Sequence, residues 1–274
     1  MARKRDSVLH GLKVDPGHAA RLHERNPASR LGLTDKAHGR EQIEAIQAEL
    51  EGLHDRLWAE AERSVVLVLQ GMDAAGKDGT IRRVLTGLNP RGCLVTNFKA
   101  PTDLDRAHDY LWRIHLALPA RGILGVMNRS HYEDVVAARI IGVVDDEQCE
   151  RRFRHIREFE RMLADEGTTM VKVFLHISKD EQRARLQARI DDPAKNWKFH
   201  RSDLEVRAQW DRYQVQYEAA ISATSTDWAP WYVIPADHKW VRDVAVAQLL
   251  VEVLVGLQPR IPDPEPGLEG VVVE

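Results

Sequence analysis

The chain has 274 residues, of which 43% are apolar and 30% charged, and its formal net charge is −3. These values are ordinary for a globular protein that buries a core, and they exclude a uniformly basic nucleic-acid binder. Cys93 and Cys149 are the two cysteines, so no disulfide framework is expected and a reducing compartment is favoured. The first six residues are charged and lack the apolar segment of a secretory signal, and no apolar run approaches the ~18 residues of a membrane span. We therefore expect a cytoplasmic enzyme.

The N-terminal segment, residues 1–62, is predicted to be an arm followed by a helix. Residues 1–40 are polar and contain several glycines and prolines, which predicts an extended arm with little regular structure. Apolar residues then recur at helical spacing and predict a helix over 41–62: Ile43, Ile46, Leu50, Leu53 and Leu57.

Beyond residue 62, short apolar runs alternate with longer amphipathic segments. Strands are predicted at 65–69, 94–98, 123–127, 171–177 and 231–234. Helices are predicted at 79–88, 103–117, 132–141, 147–165, 179–190, 203–223 and 239–256. This alternation indicates an α/β domain over 63–257, in which a mostly parallel, five-stranded sheet is covered by helices on both faces. Four prolines after Gln258 predict that the tail, 258–274, is loose.

The segment from Gly71 to Thr80, GMDAAGKDGT, lies between the first predicted strand and a helix. A strand, a glycine-bounded loop with a lysine and a helix form the context of a phosphate-binding loop, whose amide groups converge on anionic oxygens. The three-layer α/β/α arrangement is then that of a P-loop kinase. Candidate phosphate-binding positions in this loop are Gly71, Ala74, Ala75, Gly76, Lys77, Asp78, Gly79 and Thr80.

Two carboxylates set this loop apart. Asp78 occupies the position directly after Lys77, where Ser or Thr is usual, and Asp73 lies inside the loop. A carboxylate beside phosphates is costly unless a cation compensates it, and Mg²⁺ commonly bridges carboxylate and phosphate oxygens. Asp73 is therefore predicted to bind a metal or to orient an acceptor phosphate.

A second polar cluster, MNRSHYED at 127–134, follows the third predicted strand. Ligands in an open α/β sheet bind at the carboxyl ends of the strands, so these residues belong beside the loop. Arg129 is predicted to bind phosphate and Asp134 to hold Mg²⁺ through water, with Asn128, Glu133 and the later Arg139 as further substrate-binding candidates. Alternatively, Ser130 and Glu133 form a helix-capping box, and the two roles are compatible.

Two further clusters are candidates for binding phosphate. Lys99 follows the second predicted strand and Arg113 lies on the next helix, where a second phosphorylated substrate would approach. A basic segment over about 185–205 is predicted to be a helical lid that excludes water, although an ordinary charged helix and loop is the alternative. Its candidate residues are Arg185, Arg189, Lys195 and Lys198. The histidines and cysteines show no zinc-binding spacing.

Taken together, these segments resemble the polyphosphate kinase 2 family. GMDAAGKDGTI, FKAPT with HDYLWRIH, NRSHYEDV, DDPAKNWKF and PWYVIPADHKW occur in the family's order, over about residues 40–255. NRSHYEDV is most similar to the third subgroup, whose members phosphorylate both nucleoside mono- and diphosphates. Other subgroups have aspartate where Asn128 stands, so the metal role is shifted to Asp73 and Asp134.

The resemblance implies that polyphosphate donates its terminal phosphoryl group to ADP or AMP, reversibly, with Mg²⁺ or Mn²⁺ as cofactor. It also implies a homodimer or homotetramer. Asp73, Lys77, Arg129 and Asp134 are the predicted catalytic residues. Lys77 and the loop amides would hold the transferred group, while the arginines and the lid would bind both phosphate chains.

Two rival functions are considered. An ATP-dependent nucleotide kinase of the thymidylate kinase type shares the architecture, but Asp78 and the basic lid argue against it. A P-loop module that binds nucleotide or nucleic acid without turnover would leave Asp73 unexplained.

Overall fold

The computed structural model describes residues 9, 11–268 and 271–273. The charged start of the chain, 1–6, and tail residues 269, 270 and 274 lie outside the described residues, so the predictions made for them are not tested. The described tail after Gln258 contains no helix or strand.

A six-stranded sheet forms the centre of the molecule. Its strands are β1 (Lys13–Val14), β2 (Ser64–Gln70), β3 (Cys93–Asn97), β4 (Leu124–Asn128), β5 (Thr168–His176) and β6 (Trp231–Pro235). Their order is β1-β6-β5-β2-β4-β3, and all neighbours are parallel except β1 and β6. The central strands β2 and β4 are wholly buried, as their almost continuous apolar runs predict for a sheet covered on both faces.

The predicted count of five strands was wrong because the N-terminal arm adds a sixth. Lys13 and Val14 pair with Tyr232 and Trp231, and Val233 N donates to Leu12 O at 2.8 Å. Two residues carry too little pattern to be recognised as a strand, since pairing with a distant segment decides their conformation.

Helices cover both faces of the sheet. The α-helices are α1 (Lys36–Glu60), α2 (Lys77–Val84), α3 (Asp103–Arg106), α4 (Trp112–Leu116), α5 (Ala137–Ile140), α6 (Asp146–Asp165), α7 (Lys179–Asp191), α8 (Ser202–Ala208), α9 (Trp210–Thr224) and α10 (Lys239–Leu257). Helix α10 contacts α1 and α2 on one side, whereas α9 contacts α5 and α6 on the other. The three-layer α/β/α architecture is confirmed. None of the helices in the described part of the chain has the length and apolarity to cross a membrane.

Three predicted helices are interrupted. The 103–117 segment forms α3 and α4, because Asp109 accepts a hydrogen bond from Leu111 N at 2.9 Å and makes a local turn. The 132–141 segment forms a 3₁₀ turn, His131–Asp134, before α5, and the 203–223 segment divides into α8 and α9.

The register of the parallel strands brings their carboxyl ends to one edge. Leu69 and Asn97 both pair with Asn128, and His176 pairs with Pro235. The loops after β2, β3 and β4 therefore meet at this edge, as expected for a ligand site in an open α/β sheet.

A buried ion pair lies behind the loop that follows β4. Lys172 Nζ of β5 is 2.5 Å from Glu160 Oε2 of α6, and both side chains are completely buried. Tyr132 donates to Glu160 Oε1 at 2.8 Å, and His131 Nε2 is 3.3 Å from the same oxygen. The network thus holds residues 131 and 132, which precede Glu133 and Asp134.

Replacing Lys172 by Met should lower the free energy of unfolding by about 3–5 kcal/mol, because Glu160 would remain buried without its cationic partner. Chemical denaturation measures the change. The double variant Lys172→Met/Glu160→Gln removes the stranded charge and should recover part of the loss. A single variant within 1 kcal/mol of wild type would contradict a structural role for the pair.

Candidate active site

The loop between β2 and α2 lies where the sequence predicts a phosphate-binding loop. It runs from Gly71 to Gly76, and α2 begins at Lys77, where the sequence places the phosphate-binding lysine. Gly76 has a φ of 107°, and a Cβ there would lie 1.8 Å from Arg242 Nη1. Glycine is required at this position both for its left-handed conformation and for the close approach of Arg242.

The carbonyl groups of this loop are bound by two guanidinium groups. Arg185 Nη1 donates to Ala74 O at 3.1 Å and to Ala75 O at 3.0 Å, and its Nη2 donates to Ala236 O and Asp237 O at 2.7 and 2.8 Å. Arg242 Nη1 donates to Ala75 O at 3.1 Å. Ala75 N donates to Met72 O at 3.1 Å within the loop, and with the carbonyls held on this side the other loop amides can face an anion.

Arg185, predicted to bind phosphate from a lid, has all its donors bound within the protein in this structure. Its guanidinium is bound by four carbonyl oxygens and by Glu181 Oε1, which accepts from Nε at 2.7 Å. Arg185 therefore positions the loop.

Lys77 is buried among charged groups. Its Nζ donates to Gly71 O at 2.6 Å and to Met72 O at 3.3 Å. Burial, reinforced by the positive charge of Arg129, lowers the pKa of Lys77 to about 8, against the opposing effects of Asp73, Glu133 and Asp78. A bound phosphate would compensate the ammonium, since an opposite charge favours the protonated form.

Asp73 and Arg129 form the link between the loop and the end of β4. Arg129 Nη2 is 2.8 Å from Asp73 Oδ1, and Gln182 Nε2 of α7 donates to Asp73 O at 3.0 Å. Arg129 and Ala74 adopt left-handed backbone conformations, with φ of 62° and 63°. Such conformations are costly for residues other than glycine, so their surroundings must impose them, as is common at functional sites.

Asn128 contacts the second unusual carboxylate of the loop. Its Nδ2 donates to Asp78 Oδ1 at 2.6 Å and to Asn97 Oδ1 at 2.8 Å. The ends of β3 and β4 are thereby bound to the first turn of α2. An aspartate at position 128 would place a second carboxylate against that of Asp78. The residue types that positions 78 and 128 can hold therefore depend on each other.

Glu133 lies in the same cluster and is half-buried. The side-chain amide of Gln70 is oriented so that its nitrogen donates to Glu133 Oε1 at 2.9 Å and its oxygen accepts from Ser130 N at 3.1 Å. Burial raises the pKa of Glu133, against the positive charges of Arg129 and Lys77. Ser130 caps the following turn by accepting from Tyr132 N at 3.3 Å.

A cavity of about 640 Å³ opens beside this cluster. Its volume is within the range of small-molecule sites. Lys99, Arg113, Arg129, Glu133 and Asp134 lie on its wall, with Phe98, Pro101 and Tyr110 as apolar surface. Arg113 Nη2 is 3.1 Å from Asp134 Oδ2, and its Nη1 donates to Lys99 O at 2.9 Å. The predicted second substrate position after β3 is thus a cavity that adjoins Arg129.

The other three predicted lid residues, unlike Arg185, bind groups within the 189–203 segment and not the loop. Arg189 Nη1 is 3.6 Å from Asp203 Oδ2 and donates to Lys198 O at 3.3 Å. Lys195 pairs with Asp192, and Lys198 Nζ lies 4.9 Å from the centroid of the Trp197 ring. Their predicted phosphate contacts stay predictions for a closed lid.

Two other predicted residues are directed away from the loop. Arg139 pairs with Asp146 at the start of α6. Thr80 is completely buried in α2. Burial raises the pKa of Asp243 of α10, and the Thr80 hydroxyl lies close enough to that carboxyl to oppose the rise. The structure therefore does not bring Arg139 or the Thr80 hydroxyl into the cluster around Lys77.

The carboxylates nearest the loop are candidates for a metal ligand. No group of three or more His, Cys, Asp or Glu side chains suited to a metal occurs among residues 9, 11–268 and 271–273. A magnesium ion needs only one or two carboxylates when substrate phosphates and water complete its coordination. Asp73 fits this requirement because it lies inside the loop. Each of the two carboxylates is paired with an arginine, Asp73 with Arg129 and Asp134 with Arg113, and their side chains are 19% and 13% exposed.

Comparison with known proteins agrees with this geometry. Residues 33–260 match the polyphosphate kinase 2 family. The chain belongs to this family. Its match spans α1, the sheet from β2 to β6, the lid and α10, so all the site elements belong to the family's common region.

Curated members of the polyphosphate kinase 2 family cover most of the chain. An AMP/ADP-polyphosphate phosphotransferase of Meiothermus ruber is 55% identical over 85% of this chain and 88% of the relative. An ADP-polyphosphate phosphotransferase of Rhodopseudomonas palustris is 43% identical over 84% of both chains. The crystal structure of polyphosphate kinase 2 from Arthrobacter aurescens superposes with a TM-score of 0.92 at 44% identity, over 96% of this chain and 94% of that one.

Sequence reasoning missed Arg242 and Gln182 in this family member. Arg242 interrupts the apolar run of α10, KWVRDVAVAQLL, and is 2% exposed. A buried arginine is rare without a partner, so its place in an apolar helix was a usable signal. Gln182 carried no such signal, because a glutamine on a charged helix is ordinary.

Replacing Lys77 by Met should reduce kcat at least 10²-fold, as expected when one preorganised donor to a developing charge is removed. The fold of the Lys77→Met variant should be no less stable than that of the wild type. Folding lowers the pKa of Lys77 from 10.5 to about 8, so the buried ammonium makes the free energy of folding less favourable. This destabilisation is fully present below pH 8 and disappears as the pH rises towards 10.5. At pH 7 the variant should unfold at the wild-type temperature or above it; wild-type turnover would contradict the assignment.

Replacing Arg185 by Lys should lower kcat/KM about 10- to 100-fold, because one ammonium cannot bind the loop carbonyls as a guanidinium fork does. The matched control is Arg183→Lys on the same helix, whose side chain is 73% exposed and 4.0 Å from Asp180. Steady-state kinetics on both variants measures the effect. Equal kcat/KM values for Arg185→Lys and wild type would exclude a positioning role.

Proposed function

We propose that this enzyme transfers the terminal phosphoryl group of inorganic polyphosphate to ADP or AMP, and that the transfer is reversible. The observation that supports the proposal is that two groups of cationic side chains, each able to bind a phosphate, lie on either side of Asp73. Lys77 and the loop amides lie on one side, and Arg129 with the 640 Å³ cavity lies on the other. Both substrates are then phosphate anions.

The cavity is assigned to the acceptor nucleotide and the loop to the donor. Lys99, Arg113 and Arg129 give the cavity a cationic wall for phosphates, while Phe98, Pro101 and Tyr110 offer apolar surface for a nucleoside. The loop and Lys77 would hold the phosphoryl group that moves, and the lid residues Arg189, Lys195 and Lys198 would close over the donor.

Transfer between two phosphates places little demand on acid–base chemistry. An acceptor phosphate oxygen is already anionic, so no strong general base is required. In-line alignment of the two substrates and neutralisation of their charge supply most of the catalysis in phosphoryl transfer. Arg129 fits this role because it can contact both partners from its position beside Asp73.

Mg²⁺, or Mn²⁺ in its place, is the proposed cofactor, with Asp73 as its protein ligand and Asp134 as a second, water-mediated one. When bound, the ion would neutralise phosphate charge. The residues of the chain orient the substrates: Arg129 holds Asp73 in place, and Arg113 holds Asp134.

Acceptance of both AMP and ADP is proposed from the kinship with a relative named for both substrates, 55% identical to this chain. A dimer or tetramer is also proposed. Leu94 and Val95, 38% and 41% exposed on edge strand β3, offer an apolar edge that a second copy can cover. The cytoplasmic location stays a prediction from the low cysteine content.

Purified enzyme incubated with polyphosphate, Mg²⁺ and ADP, without ATP, should form ATP; with AMP as the sole acceptor, ADP should appear first and ATP later. Nucleotide chromatography over time measures both products. The inactive Lys77→Met variant controls for contaminating kinases. Transfer from ATP to a nucleoside monophosphate, without any from polyphosphate, would instead support the ATP-dependent kinase.

A further inference from the structure

Three consecutive carbonyl groups of the phosphate-binding loop are bound by one face of α7. Gln182 Nε2 donates to Asp73 O at 3.0 Å, and Arg185, one turn further along the helix, binds the carbonyls of Ala74 and Ala75. Residues three apart lie on the same side of a helix, so the two side chains act on the loop together. The role of Gln182 follows from the peptide group that it binds.

Gln182 fixes the orientation of the peptide group between Asp73 and Ala74. In a trans peptide the carbonyl oxygen and the amide hydrogen point in opposite directions, so the Ala74 N–H is directed away from α7. Within the part of the chain that the structure describes, this N–H donates to no other group. It is therefore available to a ligand.

The side of the loop that faces away from α7 is the side on which Lys77 lies. Arg185 binds Ala74 O from α7, so the next amide, Ala75 N, also points away from this helix. Its acceptor is Met72 O at 3.1 Å, and the same oxygen accepts from Lys77 Nζ at 3.3 Å. The free amide of Ala74 is thus directed towards the part of the site where the lysine would bind the transferred phosphate.

The loop needs help to keep this orientation. Ala74 has a φ of 63°, a left-handed conformation that is unfavourable for a residue with a Cβ. Gln182 is completely buried, so water does not compete for its bond to Asp73 O. Without this donor, the peptide group could rotate to relieve the strain, and the Ala74 amide would no longer face the site.

The side-chain amide of Gln182 is oriented in turn by Arg207 of α8. A glutamine amide has one oxygen that accepts and one nitrogen that donates, so a donor at the oxygen determines where the nitrogen points. Arg207 Nη1 donates to Gln182 Oε1 at 2.9 Å and to Lys179 O, in the first turn of α7, at 2.6 Å. The Gln182 nitrogen is thereby left to face Asp73 O.

Helix α8 begins within the lid segment and is attached to α7 at two points. Asp203 Oδ2 of α8 lies 3.6 Å from Arg189 Nη1 near the end of α7, and Arg207 binds the beginning of α7. Of these two contacts, the one through Arg207 leads to the phosphate-binding loop. The position of α8 therefore acts on the Asp73–Ala74 peptide through two side chains.

We propose that Gln182 and Arg207 are positioning residues for phosphoryl transfer. They hold the Asp73–Ala74 peptide so that the Ala74 amide donates to the phosphoryl group in the loop, and they make this orientation depend on the position of α8. Neither side chain touches the substrate. The inference rests on the proposed function and adds to it the residues that orient one amide of the loop.

Two substitutions of Gln182 test the contact with the loop. Neither Gln182→Met nor Gln182→Glu can donate to Asp73 O, but glutamate, ionised beside Arg207, keeps the shape of glutamine and the contact with α8. Both variants should lower kcat about tenfold or more, with KM for ADP changed less than about twofold because the acceptor cavity is intact. The matched control is Gln187→Met on the same helix, an exposed side chain that binds Asp191 at 2.7 Å. Wild-type kcat in Gln182→Glu would overturn the proposal, since a residue that only fills space tolerates its isostere.

A double-mutant cycle tests the link to α8. Arg207→Met should lower kcat about threefold or more by itself, but it should cause no further loss in the Gln182→Met background, because the connection is already broken. Arg183→Met, which removes an exposed arginine from α7, is the control and should keep wild-type kcat in both backgrounds. Losses that multiply in the double variant would show that Arg207 acts by another route and would overturn the link.

A binding measurement without turnover separates this inference from the proposed function. Isothermal titration calorimetry with tripolyphosphate, in the absence of nucleotide, should show about tenfold weaker binding for both Gln182 variants, as expected when a hydrogen bond to a charged group is lost. Binding to Gln187→Met should equal that of the wild type. Equal affinity in the Gln182 variants and this control would refute the positioning role. Wild-type enzyme that binds tripolyphosphate but yields no ATP from any polyphosphate would refute the proposed function alone.

Discussion

When a phosphate-binding loop directs its amide groups at an anion, its carbonyl groups face the other way, and those that are buried there need hydrogen-bond donors. In this protein the donors are Arg185 of α7 and Arg242 of α10, which share the carbonyl of Ala75 at 3.0 and 3.1 Å. Each guanidinium is in turn fixed by a carboxylate, and Gly76 leaves the space that Arg242 needs. The loop conformation therefore depends on two elements that follow it by more than a hundred residues, and the site forms only when the domain is complete.

The same arrangement explains how so many like charges coexist. Lys77 is buried beside Arg129, and Asp73 lies beside Glu133. Each charged group is therefore repelled by a neighbour of like charge and attracted by one of opposite charge. Removing one member would leave its partner uncompensated in a poorly solvated place. Incoming phosphates would shift this balance towards protonated Lys77, which couples substrate binding to the charge state of the site.

Much of this site could be predicted because its signals are local. The apolar run of β2 and the glycines around Lys77 fix a strand, a loop and a helix in that order, and the polar residues after β4 must meet them at the same edge. The partner that a charged side chain binds, by contrast, is not determined by the residues next to it in the sequence. Helical spacing placed Arg185 and Arg189 on one face, but it could not show that one binds the loop and the other binds Asp203. A two-residue strand such as β1 leaves no periodic trace at all.

Strand β1 has a consequence for the order of events during synthesis. Its partner β6 follows it by more than 200 residues, and Ser225 and Ser222 bind the arm through Val14 O and Ala20 N. The arm leaves the ribosome before β6 and cannot dock until that strand has emerged. Closing so long a loop is slow, and between the pairing of β6 with β5 and the docking of β1 the outer edge of β6 is open to other chains. A chaperone or a neighbouring nascent chain would meet the protein at that edge.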